Sequence, residues 1–280
     1  MTGFLAELGK KLAERWVAAL VLPGALFVSL AVVAGLLGHR RWADAGLLWQ
    51  RLDQFTGTGQ QGSRMLLLVL ALLVASAGAG LAARALGRPV ERALSGRWPR
   101  PLAPLSTALT DRRNRRWHAL DAAAEDPRKR LRRNAISLAE PRFPTWLGDR
   151  LAAAMDRVWK EYGLDGSSWS RFWLLLPEST RGQLAEARQR LDDATALGGW
   201  AVLYVALGAV WWPSAVLGCC LGLIAWRRAR VTGEVYADLV EAAYDVHLPD
   251  LLDRLADDGG LRPVNRQLGM QLTERFHKGF

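Results

Sequence analysis

The sequence predicts an all-α, polytopic membrane protein carrying a helical domain outside the bilayer. Three observations lead there. Half of the 280 residues are hydrophobic, but they gather into charge-free runs over Val17–Leu37, Met65–Ala83 and Ala194–Trp226. A soluble chain would spread them at periods of 2 or 3.6. Arginine-rich stretches lie between these runs, and such basic flanks set the orientation of a membrane protein. No stretch alternates with the period of a strand.

In chain order, residues 1–16 place Phe4, Leu5, Leu8, Leu12 and Trp16 at helical spacing, which predicts an interfacial amphipathic helix. Residues 17–83 are expected to form a first transmembrane pair, Val17–Leu37 and Met65–Ala83. Their external connection would hold a half-buried helix bearing Trp42, Leu47, Leu48, Trp49, Leu52 and Phe55, then a polar turn over Gly57–Ser63. Ala75, Ala79 and Ala83 form a small-residue ridge suited to close helix packing. Arg84, Arg88, Arg92, Arg97 and Arg100 follow the second span, so residues 84–193 are expected in the cytosol as an arginine-rich helical domain. Lys10, Lys11 and Arg15 place the N-terminus on the same side.

The run Ala194–Trp226 is long enough for one tilted span or two short ones. Arg188 and Arg190 precede it, and Arg227, Arg228 and Arg230 follow it. Basic flanks on both sides call for an even number of crossings, hence a hairpin turning at Trp211–Ser214 and four spans in place of three. Gly218 and Gly222 are expected to pack this last span against the second one. Residues 227–280 form a C-terminal cytosolic helical segment.

The functional reading starts from charge. A net charge of +10 calls for an anionic partner, with membrane lipids ahead of nucleic acid for a chain of this kind. The densest basic feature holds Arg112, Arg113, Arg115, Arg116, Arg128, Lys129, Arg130, Arg132 and Arg133, candidates for lipid or partner binding. Glu234, Asp238, Glu241 and Asp245 recur at helical spacing and form one acidic stripe. That stripe is expected to dock on arginines of the 111–134 segment. Val235, Leu239, Ala242, Ala243 and Val246 would form the opposite, apolar face.

The predicted spans hold no ionisable group, which argues against an ion-coupled transporter. Ser29, Ser76 and Ser214 are the few hydroxyls that could line a pore. Cys219 and Cys220 are adjacent, cannot form a structural disulfide with each other, and read as small buried apolar residues. No Cys/His cluster, phosphate loop or nucleophile motif is present. No metal or cofactor is therefore expected, and no residue is marked as catalytic.

One further segment, Pro141–Glu178, has a distinctive grammar. Pro144 and Thr145 open a helix, with Thr145 as N-cap. Leu147, Leu151, Met155, Val158 and Tyr162 make its apolar stripe, and Gly163 closes it. A turn through Asp165 leads to Trp169, Arg171, Phe172 and Trp173, ended by Pro177. With Gly148, these residues resemble a family of functionally uncharacterised, largely actinobacterial membrane proteins. That family shares a P-T-x-x-G-N helix start, a Y-G-x-D turn and a W-x-R-[LF]-W-x-x-x-P segment before a hydrophobic hairpin. Asp149 stands where the family pattern more often has asparagine. The resemblance implies a bacterial inner-membrane location and no known reaction.

The combined expectation is a non-enzymatic inner-membrane protein with both termini in the cytosol. Its basic domain would dock a protein partner, a further copy of itself, or anionic lipid headgroups. A pore-forming effector gated by the cytosolic domain and a membrane enzyme acting on lipid-linked substrates are the alternatives.

Overall fold

A computed structural model of the chain describes residues 21–56, 61–255 and 266–277. All regular structure among them is helical, with no strand, as the sequence predicts. The helices are α1 (Leu22–Leu37), α2 (Ala45–Thr56), α3 (Gln61–Leu94), α4 (Ala103–Asp121), α5 (Pro127–Ile136), α6 (Trp146–Tyr162), α7 (Trp169–Leu175), α8 (Glu178–Leu207), α9 (Trp212–Leu255) and α10 (Arg266–His277). The chain divides into two units. One holds the described residues up to Val90 together with Thr195–Trp226, and the other holds Glu91–Ala194 and the described residues from Arg227 onward. The interfacial helix expected over residues 1–16 lies outside the described residues.

In the first unit, α3 is long and apolar enough to cross a membrane, and it is the one such helix among the described residues. Only 11% of its most apolar stretch is buried. Every residue from Met65 to Leu70 is exposed, with Leu72, Leu73 and Val74. A helix apolar on all sides and so bare has no face for water. The helix begins earlier than predicted: Gln61, Gly62 and Ser63 are its first residues, not part of a turn. Gly57–Gln60 lie outside the described residues. It also continues past Ala83 to Leu94, with Pro89 inside it.

Small residues let the other helices approach. The buried stripe of α3 is Ser76, Gly80, Ala83 and Gly87. The expected ridge of Ala75, Ala79 and Ala83 is corrected here: Ala75 is exposed, Ala79 is half-buried, and only Ala83 lies at a contact. The segment ASAGAGLAA contains several overlapping small-residue stripes, and composition cannot choose among them. A side chain at Gly24 of α1 would collide with the Ser76 carbonyl, and one at Gly199 of α8 with the Ala83 carbonyl. Phe27 of α1 meets Tyr204 of α8 edge-on at 5.2 Å.

The apolar run after residue 194 turns over residues 208–211, and Trp212, Pro213 and Ser214, expected in the turn, instead open the next helix. The Trp211 indole donates to the Trp42 carbonyl at 3.1 Å, and Trp42 meets Trp212 edge-on. The turn and the loop after α1 thus share one end of this unit. Gly218 packs against Val205 and the Ala201 carbonyl, and the nearest neighbour of Gly222 is also Ala201. These glycines therefore close the hairpin on itself and do not pack on the second predicted span. Backbone nearness along a tight hairpin decides this pairing ahead of any longer-range match. Cys219 and Cys220 are free and exposed, contrary to the buried placement expected.

In the second unit, Gly96 at φ 71° ends α3, with the Arg97 N–H donating back to the Arg92 carbonyl at 2.9 Å. Two apolar clusters follow. One gathers Val158, Leu164, Phe172, Leu176, Leu184, Val240, Tyr244 and Leu248, with Phe172 stacked on Tyr244 at 4.2 Å. The other joins Leu147, Leu191, Ala194 and Ala229. Along α9 the buried stripe is Ala229, Gly233, Ala237, Val240, Tyr244 and Leu248. Val235, Ala242 and Val246, expected on the apolar face, are exposed, and only Ala243 of that set is fully buried.

Candidate functional site

The helix α6 organises the polar chemistry of the second unit. Thr145 caps it by accepting from the Gly148 N–H at 3.2 Å, and Gly163 at φ 71° ends it. Gly148 sits so close to the Ser95 carbonyl and the Phe143 ring that a Cβ would clash. The apolar stripe faces the core, with Leu147 and Val158 buried. The same helix turns Asp149, Arg150 and Arg157 toward three other elements.

Asp149 is 5% exposed. One carboxylate oxygen accepts from the Arg142 and Phe143 N–H groups, each at 2.8 Å. The other accepts from Arg113 Nη2 at 2.6 Å, and the same nitrogen donates to the Ile136 carbonyl at 2.9 Å. A full negative charge opposite a guanidinium explains why aspartate serves where an asparagine would offer one acceptor and no charge. Asp149 ties α4, the end of α5 and the 141–145 turn to α6.

The acidic stripe of α9 docks, but not where the sequence suggested. Asp238 and Glu241 pair with Arg150, whose side chain is 5% exposed. Glu241 accepts from Arg150 Nη1 at 2.7 Å and from Arg157 Nη1 at 2.9 Å. Asp245 accepts from Arg157 Nη2 at 3.0 Å and from the Tyr162 hydroxyl at 2.7 Å. Glu234 is exposed, with no ion pair among the described residues. None of these carboxylates pairs with an arginine of the 111–134 segment. Arg150 and Arg157 stand seven apart, as do Asp238 and Asp245, so two helical stripes of equal pitch and opposite charge meet. That matching spacing is legible in the sequence, where the 111–134 segment outweighs it by charge density alone.

Electrostatics follow from these contacts. Burial works against the Arg150 charge, but Glu241 and Asp238 outweigh it and hold the guanidinium above its ordinary range. Burial and the adjacent Asp245 carboxylate push the Tyr162 hydroxyl up to about 12.

The nine basic candidates separate into two groups. Arg113 is held by Asp149, and Arg133 donates to Asp121 at 2.5 Å while lying over the Trp117 ring. Arg112, Arg115, Arg116, Arg128, Lys129, Arg130 and Arg132 are exposed, and none has an ion pair among the described residues. These seven lie together on α4 and α5.

Two adjoining hollows of about 490 and 330 Å³ share Trp169, Arg188 and Tyr236. Trp173 lines the larger one. Arg188 is occupied there by Glu91 and Asp192 at 2.8 and 2.7 Å. Burial raises Tyr236 above the ordinary phenol range. The remaining motif residues are structural neighbours: Asp165 accepts from the Ser167 N–H at 3.0 Å, Arg171 Nη1 donates to the Ser167 carbonyl, and Pro177 separates α7 from α8. Pro144 packs beside Gly96. Among the described residues no group of three or more His, Cys, Asp or Glu could hold a metal ion. Comparison with protein-family models, curated proteins and solved structures gave no match to this chain.

Proposed function

We propose that this chain is a bacterial inner-membrane protein that crosses the bilayer four times and acts by docking its basic domain on an anionic partner. The seven exposed, unpaired cations of α4 and α5 carry the reading, because Arg150 and Arg157 of α6 and Arg188 and Arg190 of α8 are already matched to carboxylates. An exposed positive surface left unmatched while neighbouring charges are paired is a surface kept for something outside the fold.

The bare apolar length of α3 supports membrane insertion. The other three proposed crossings are α1 and the two arms of the hairpin. Each arm has 14 or 15 uncharged residues, roughly 21 Å of helix. A gap to a core of about 30 Å is met by local thinning and by arginines reaching the interface. The flanking Arg227 and Arg228 are suited to that role, as is the cluster of Trp42, Trp211 and Trp212 at the other end. Ser76 and Ser214 turn their hydroxyls to the Leu72 and Tyr204 carbonyls at 2.6 and 2.7 Å, which weighs against a hydroxyl-lined pore. The resemblance of Pro144–Pro177 to the uncharacterised membrane family agrees with this reading.

Cysteine accessibility tests the topology. Single cysteines at Arg40 and Ala209 should label from outside the cell, and one at Glu234 only from inside. Labelling of Glu234→Cys from outside would give an odd number of crossings. Docking is tested by hydrogen exchange over residues 103–136. Exchange should be slower in native membranes than in uncharged detergent, and should recover in about 0.5 M salt, where the Debye length is about 4 Å. Equal exchange in both would remove the docking reading.

A further inference from the structure

We infer that α5 is an amphipathic anchor for the anionic lipid surface, with Arg128 and Arg132 on headgroup phosphates and Leu131 beside them inserted among the acyl chains. The inference rests on the docking reading above and names its partner. Its basis is how α5 is held. Asp126 caps the helix by accepting from the Arg128 N–H at 2.8 Å. Arg133 fastens it from behind, bonded to Asp121 and seated on the Trp117 ring. Ile136 and Asn134 share that inner side and are half-buried.

Fixing Arg133 inward decides what faces out. At 3.6 residues per turn, Arg128, Leu131, Arg132 and Ala135 fall within an arc of roughly 100° on the opposite side, whereas Lys129 and Arg130, four and three residues before Arg133, lie on its side of the helix one turn earlier. All of these are exposed, Leu131 by 70%. Leu138, just beyond the helix, is exposed by 58%. An outward arc of two exposed cations and a bare leucine makes a face that attracts phosphate and still has an apolar group to bury.

Lipid fits this pattern better than its rivals. A nucleic acid would use the cations but leave Leu131 in water, and a single-strand site adds aromatic faces for stacking. Trp117 is turned away to the Ser137 carbonyl at 3.0 Å. An interfacial helix uses both features at once, and each basic residue near an anionic surface strengthens attachment by about fivefold. The chain that supplies α5 also carries α3, so attachment is intramolecular and weak contacts suffice.

The test uses the full-length protein in nanodiscs of phosphatidylcholine alone or mixed with phosphatidylglycerol. An environment-sensitive bimane is attached at Leu131→Cys in a Cys219→Ala, Cys220→Ala background. Bimane emission should shift to the blue, and amides of α5 should exchange more slowly, only in the phosphatidylglycerol discs. Both effects should vanish in about 0.5 M salt. Arg128→Gln and Arg132→Gln should each weaken them by about fivefold, and Leu131→Ser should lose the protection with the thermal transition unchanged. A water-like bimane and unprotected α5 in phosphatidylglycerol discs would overturn the inference. If native membranes still protect residues 103–136 in that case, the partner is a protein and the docking reading survives. Protection that appears only on adding RNA would assign the surface to nucleic acid and overturn the lipid anchor. No protection in any setting sinks both readings.

Discussion

Two arginine-bearing helices of the second unit, α5 and α6, make opposite use of the same side chain. On α6, Arg150 is buried and held by Asp238 and Glu241, and Arg157 reaches Glu241 and Asp245. On α5, Arg128, Arg130 and Arg132 stand in solvent with no carboxylate matched to them among the described residues. The contrast shows that arginine density says little by itself. What counts is whether another element brings carboxylates at the same pitch. Charges matched in this way hold the fold together, and unmatched ones stay in solvent.

The strongest way to break the contrast is Arg150→Ala. Removing Arg150 leaves Glu241 with Arg157 alone and Asp238, which is 63% exposed, without a partner, and losing such charged hydrogen bonds costs about 1.5–3 kcal/mol. Chemical denaturation in detergent should show that drop in the transition of the second unit. A loss below about 1 kcal/mol would make Arg150 no more structural than a surface residue. Asp149→Asn comes next. It keeps an acceptor for the 142–143 amides but leaves Arg113 opposite a neutral amide, for an expected loss of about 1–3 kcal/mol in the same measurement.

A third, smaller effect concerns α10. His277 Nε2 lies 2.7 Å from Asp165, and Thr273 donates to the Gly163 carbonyl at 2.9 Å. Burial works to raise the Asp165 carboxyl, but hydrogen bonds from Ser167 and His277 outweigh it, and the group sits below its ordinary 3.8. Its folded value is the lower one, so its stabilisation is complete above that ordinary value and is lost as pH falls through the folded one. Hydrogen exchange of residues 266–277 should therefore accelerate in acid below pH 3.8, and Asp165→Asn should remove that dependence. The smallest effect belongs to α5. The triple change Arg128→Gln, Arg130→Gln, Arg132→Gln should move stability by no more than about 0.5 kcal/mol. A larger loss would mean that these side chains serve the fold after all.

Legibility in the sequence followed the range of the interaction. The Thr145 cap, the Gly163 stop, the aromatic patch at Trp169–Trp173 and the turn within 194–226 all came from neighbours within a few residues. The acidic stripe was legible as a stripe because helical pitch is local. Its partner was not, since Arg150 and Glu241 are 91 residues apart. The small-residue ridge failed by a single position for a related reason: Ala75 and Ser76 are equally small, and only the helix packed against them distinguishes the two.

The sequence by itself determined that this protein is helical and that α3 is a bare apolar helix. It also determined that a strong positive charge sits beside the apolar runs. Those properties are sums over adjacent residues, and folding does not alter them. The tertiary structure alone decided which arginines are spent. Arg113, Arg133, Arg150 and Arg157 lost their freedom when distant carboxylates arrived at matching pitch. Arg128 and Arg132 kept theirs because the fold turned Arg133 inward and left the other side of that helix facing out.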